Sequence, residues 1–293
     1  MLAVKRLLLT GAAALALVLP AAAVTAAPPY GEIAFARHCG TGCADIYVVR
    51  TDGKGLRRIT RTRDNFDPAW SPDGQQIAFA SDRAGGSGAP ELYVMDADGS
   101  RVRRLTRTAH ERDNWRANYE PASSPDASRI AFVRLVLEGG ESRADLWVVD
   151  ADGRGARRLT RNAVAESDPT WSRDDRIAFS RGGDLYVIGA DGKGERLLVR
   201  GGTMPAWSPD GARIAFVGKD GGIEIVQADG GARTRLRGTR GSSPAWSSDA
   251  SWLVYERAGS LYVVDSNGAG RTRITRAPSL RNDLDASWRP PSH

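Results

Sequence analysis

Histidine and cysteine are scarce in this 293-residue chain, with three of the first and two of the second. His38, His110 and the terminal His293 leave almost no material for a Ser-His-Asp triad or a multi-histidine metal site. No G-x-S-x-G run occurs, which excludes a nucleophile elbow. Long apolar runs are missing too, with one exception at the start. Lys5 and Arg6 precede an apolar run from Leu7 to Leu19, followed by Pro20 and small residues through Val24, Thr25 and Ala26. The run is shorter than the roughly 20 residues a membrane span needs. Its three-part pattern is that of a secretory signal peptide, cut after Ala26 or Ala27, with an uncleaved anchor as the alternative. Residues 1–26 are read as the leader and 27–293 as one exported domain without a membrane span, periplasmic or secreted. No cysteine stands at the cut to carry a lipid.

A strong charge bias is absent as well. The 41 Lys and Arg against 35 Asp and Glu give a net charge of +6, and the leader removes two of the cations. The basic residues are spread evenly, as in "LRRIT", "VRRLT", "ARRLT" and "RTRIT". Neither the excess nor its distribution, nor export, suits nucleic acid. These arginines are expected on solvent-facing strands, where they discourage edge-to-edge pairing.

What the chain has in abundance is repetition. "PAWSPDG" at 68–74 returns as "PASSPDA" (121–127), "PTWSRDD" (169–175), "PAWSPDG" (205–211) and "PAWSSDA" (244–250), with "DASWRP" at 285–290. Each full copy is followed by a β-type run such as "QIAFAS" (76–81) or "RIAFSR" (176–181). Then comes a run like "ELYVMDADG" (91–99), and a short one such as "RRLT" (103–106). Val, Ile, Tyr and Phe in partial alternation, cut by Pro-Asp-Gly and Asp-Gly, read as four strands per unit. Units recurring at roughly 40–50 residues are the mark of a β-propeller blade. The chain enters at a second strand, "GEIAFARH" (31–38), and ends on a first strand, "DASW" (285–288). Joined, they complete a sixth blade. The expected fold is all-β: a six-bladed propeller of four-stranded blades, with its ring closed by the two ends of the chain.

The pattern "PAWSPDGxxIAF…LYVMDADGxxxRRLT" resembles the propeller of TolB, the periplasmic component of the Tol–Pal envelope system, and its WD-repeat-like relatives. The resemblance covers roughly residues 30–290. It implies a TolB-type propeller, with no room here for the additional α/β domain that TolB carries. Prolyl oligopeptidase-like peptidases share such propellers, but no hydrolase domain follows. A propeller does not by itself define a function.

Candidate site residues follow from the expected geometry. The "DADG" segments (96–99, 150–153) are read as tight turns, lacking the twelve-residue ligand set of a calcium loop. Trp70, Trp171, Trp207, Trp246 and Trp288 are read as packing between blades. In an exported chain, Cys39 and Cys43 of "HCGTGC" are expected to form a disulfide, with a metal site including His38 as the alternative. The irregular lengths (37–43, 81–90, 107–119 and 134–144) all fall on one face over blades 1–3. That face is expected to be the working one, with Trp115 and Tyr119 as aromatic anchors. The residue three before each signature tryptophan should stand at the mouth of the central channel. Round the ring these are Asp285, Asp67, Glu120, Asp168, Met204 and Ser243. Four consecutive carboxylates either cap backbone N–H groups in their own blades or create a negative potential for a cation. That cation would be a basic side chain of a peptide, or Ca²⁺. The expected function is non-catalytic recognition of a peptide or protein partner by a monomer in the cell envelope. The alternative is a propeller enzyme of lactonase, lyase or esterase type using the channel, with or without a bound metal.

Overall fold

The structure is a computed structural model and describes residues 28–29, 31–40, 43–62, 64–84, 89–108, 114–277 and 282–290. The leader, His110 and His293 lie outside these residues.

Local chemistry sets the strand boundaries. After Trp70 the chain must reverse, and the signature supplies every group needed. Ser71 Oγ donates to Asp73 Oδ1 and accepts the Gln76 N–H at 2.9 Å, while Asp73 Oδ1 also accepts the Gln75 N–H at 3.0 Å. Gly74 takes the positive φ of 66° that closes the turn. The second turn works the same way: Asp98 accepts the Ser100 N–H, and Gly99 sits at φ 90°. Between these turns, β-branched and aromatic residues pair as antiparallel strands.

The result is six four-stranded antiparallel sheets, each a blade. In the first blade the C-terminal strand Asp283–Trp288 is innermost, followed by Glu32–Gly40, Cys43–Arg50 and Arg57–Arg58. The ring is therefore closed by its own ends. Arg37 locks the closure with two buried bonds to Asp283, at 2.6 and 2.9 Å.

The core is divided into six clusters, one per seam between neighbouring blades. The cluster of Ile46 and Val48 with Trp70, Ile77 and Phe79 joins blades 1 and 2. Trp171, Trp207, Trp246 and Trp288 each fill the corresponding place at another seam, all under 9% exposed. One sheet buries both faces only because each face meets a neighbour.

Two expectations are corrected. The segments 107–119 and 134–144 are not simply loops over blade 3. Asn114–Ser123, Arg129–Glu138 and Glu141–Asp150 are long strands that pair as far as Asn114↔Glu138 and Glu141↔Glu138. Gly139 and Gly140, both at positive φ, make the tight hairpin turn that allows this. The paired arginines, in turn, are not mere solvated decoration. In each pair the second reaches inward: Arg58 to Asp45, Arg104 to Glu91 and Arg158 to Asp145, acids that are almost fully buried. In two of the pairs the first spans to the next blade, Arg103 to the Ala151 carbonyl at 2.7 Å and Arg157 to the Ala190 carbonyl, while Arg57 pairs with Glu32 of its own blade. The guanidiniums thus connect the outer strands to polar knots at the seams.

Candidate functional site at the channel mouth

All six mouth positions come together round one axial cavity of about 300 Å³, walled by Asp67, Glu120, Asp168, Met204, Ser243 and Asp285 with the residues that follow them. The cause is a bulge repeated in each innermost strand. In blade 2 the pairing runs Phe66↔Ala80 and then Ala69↔Ala78, so Asp67 and Pro68 oppose Phe79 alone. Proline has no N–H to give the ladder, and a bulge accommodates it. The mouth residues pay with backbone strain: all six have positive φ, from 47° at Ser243 to 56° at Asp168 and Asp285. Five of them precede a proline, a position that normally favours extended backbone. Strained, non-glycine residues converging on a cavity are a recurring feature of ligand sites.

The bulge also frees the N–H of each mouth residue, and the ring satisfies several of these from blade to blade. Asp67 Oδ2 accepts the Glu120 N–H at 3.0 Å, and Glu120 in turn accepts the Asp168 N–H. Ser180 Oγ accepts the Met204 N–H at 2.9 Å, and the Met204 sulfur takes the Ser243 N–H at 3.4 Å. Asp285 donates its N–H to Glu256. Asp67, Glu120 and Glu256 therefore cap backbone groups of the next blade rather than their own, whereas Asp168 accepts the Ser167 and Ser180 hydroxyls.

Glu256 was not among the expected mouth residues. It sits at the end of a second strand, where other blades carry Ala36, Ala80, Val133 or Val217. The signal was the charged departure from "IAF-small" in "WLVYER", and only burial shows what it means. Five acids thus cluster at the mouth. Burial pushes the Glu120 carboxyl up to about 8, helped by the charges of Asp168 and Asp67. Burial pushes Glu256 to about 7 against the hydrogen bond from the Asp285 N–H. Asp285 is raised by burial and then by Asp67, Glu256 and Glu120, and Asp67 by burial. The site holds protons that a cation would displace.

The aromatic anchors are placed differently from expectation. Trp115 and Tyr119 lie on the innermost strand of blade 3 rather than in a loop, both half-buried. Tyr119 packs on the cluster at the seam of blades 2 and 3. Cys39 and Cys43 are bonded to each other at the end of their hairpin, Cα atoms 5.5 Å apart, and His38 turns instead against Phe66.

A family profile described as the TolB beta propeller domain matches residues 21–134 and 113–290, nearly the whole described chain. The chain belongs to that family. A Tol-Pal system protein TolB from Anaeromyxobacter dehalogenans is 39% identical over 133 residues, covering 45% of this chain and 27% of the relative. One from Desulfosudis oleivorans is 47% identical over 47 residues, 16% of this chain and 11% of the relative. The matched stretches span about a quarter or less of these relatives. Among solved structures, TolB from Acinetobacter baumannii superposes with a TM-score of 0.72 at 21% identity, over 89% of this chain and 67% of that one. Kuenenia stuttgartiensis hydrazine synthase reaches 0.71 at 16% identity, over 89% and 47%. At such identities the structures share the fold and nothing more is carried over.

Proposed function

We propose that this protein is a non-catalytic, exported binding protein of the cell envelope, which takes a basic side chain of a peptide or protein partner into its channel mouth. The observation that carries this reading is the convergence of Asp67, Glu120, Asp168 and Asp285 on one cavity, with Glu256 bonded to the Asp285 N–H behind it, in a chain that is basic overall. A lysine or arginine entering there replaces the protons on the raised carboxyls and meets like charges already gathered. Relatives called Tol-Pal system protein TolB support a periplasmic setting with protein partners.

The test is calorimetry of the mature protein against lysine-rich peptides and, separately, Ca²⁺. The Asp67→Asn, Asp168→Asn double variant should bind the basic peptides about tenfold more weakly or worse. Equal binding by the variant, or no binding by the unmodified protein, would refute the site. Heat with Ca²⁺ alone would transfer it to a metal.

A further inference from the structure

Four of the six seams carry a polar knot on the face opposite the signature turns. At the seam of blades 2 and 3, buried Glu91 is held by Arg104, Thr106 and Asn118, and Arg134 reaches Asn118 from the next strand. The remaining two seams lack it. At the seam of blades 4 and 5 the register puts Leu197 where Arg104 stands, and Gly202 and Gly218 where Asn118 and Arg134 pair. At the seam of blades 5 and 6, the third strand begins with Gly222 where Glu91 begins its own. Removing these side chains leaves clefts of about 700 and 640 Å³, and Gly221 lines both.

The clefts are rimmed by more cations than acids, and one of those cations, Arg200, lies 3.8 Å from Asp184. Arg200 and Lys219 line the first, Arg240 and Arg257 the second. Two carboxylates line them: Asp184, which also takes the Gly201 N–H at 2.7 Å, and the buried Glu256, which accepts the Ser242 hydroxyl at 3.0 Å and the Asp285 N–H. Lys219 is exposed and makes no ion pair among the described residues. At the second seam, Arg257 and Arg271 both donate to the single carbonyl of Gly238. Beside these guanidiniums lies the hydroxyl of Tyr255, a fully buried residue. Other blades carry phenylalanine at that place, as at Phe79 and Phe132. Two guanidiniums and a hydroxyl therefore gather where neighbouring seams supply a carboxylate.

We propose that the two clefts form one docking groove, over blades 4–6, for an extended acidic peptide segment. At the second cleft an Asp or Glu of the peptide takes the place that Gly222 leaves open, where Glu91 and Asp145 stand at the closed seams; at the first, where Asp184 already begins the third strand, it meets Lys219. The closed seams show that these positions are shaped for amino-acid carboxylates at strand ends, which favours a peptide over an acidic saccharide. The groove has the opposite charge preference to the channel mouth and stands independently of it.

Fluorescence anisotropy with a labelled glutamate-rich peptide tests this, with a lysine-rich peptide and polygalacturonate run in parallel. Arg200→Glu with Lys219→Glu should weaken binding of the acidic peptide by about tenfold or more and make it insensitive to salt. Gly222→Asp should block the groove from within. The three atoms nearest to a Cβ there all belong to the Arg235 guanidinium, at 2.8–3.1 Å, a flexible group that can turn from Asp220 and pair with the new carboxylate. Asp67→Asn with Asp168→Asn should leave this binding unchanged. The proposal is overturned if the unmodified protein ignores the acidic peptide, if the charge-reversed variant binds it equally, or if polygalacturonate binds and the peptide does not. Should Gly222→Asp not fold, the exposed charge pair still decides.

Discussion

Asp67 shows how one residue can serve two roles at once. Its φ of 50° turns the side chain to the axis, and its carboxylate caps the next blade's Glu120. Such crowding has a consequence for pH. Glu120 at about 8 and Glu256 at about 7 keep their protons in the native state, whereas an unfolded glutamate loses its own near 4.3. Between those values the native state binds more protons, so stability falls as pH rises. Below about pH 4 both states are protonated and the effect is absent. The melting temperature should therefore decline from about pH 5 to about pH 8, with roughly 2–4 °C for each kcal/mol. Glu120→Gln should flatten that decline, and an unchanged slope in the variant would show that the mouth does not hold these protons. Asp126, lowered to about 2 by Ser124, Ser128 and the Ser128 N–H, acts with the opposite sign and loses its contribution only in strong acid.

Strands and their connections are held by different chemistry. Inside a blade the ladder and the turn side chains suffice, but between blades the work falls to tryptophans and buried carboxylates. Asp283 is fully buried, and its carboxylate bonds Arg37 across a sequence separation of 246 residues. Asp283→Ala leaves the Arg37 guanidinium buried and unpaired, which should cost about 3–5 kcal/mol in urea unfolding. Arg50→Ala, whose partner Asp52 stands at the surface, should leave the unfolding midpoint in place. A small loss in the Asp283 variant would mean that the closure is held by Trp288 and its apolar neighbours alone. At this scale the sequence was legible wherever it repeated. Each turn and each second strand could be read from "SPDG" and "IAF", because their hydrogen bonds are local. Blade 3 was misread because its Gly139–Gly140 hairpin stands where other blades connect by loops.

The ring as a whole depends on its last strand. Without residues 283–293 the strand Glu32–Gly40 loses one of its two antiparallel partners, and Ile33, Phe35 and Val254 lose Ala286 and Trp288. An exposed edge beside an apolar face invites pairing with another chain. The truncated protein should lose its single cooperative calorimetric transition and run larger on size exclusion. A truncated ring that melts once, as a monomer, would show that closure is dispensable.

By itself the sequence determined the blade count, the order of strands, the closure and the six mouth positions. All of these follow from a repeat whose turns need particular side chains at fixed spacing. Only the tertiary structure decided which groups meet across seams. Glu256 joins Asp285, Arg104 finds Glu91 and Asn118, and the missing knots at Gly202 and Gly222 open into clefts. The reason is physical: these contacts are set by how neighbouring sheets twist and pack against one another, and a repeat of local signals carries no record of which side chain will stand opposite.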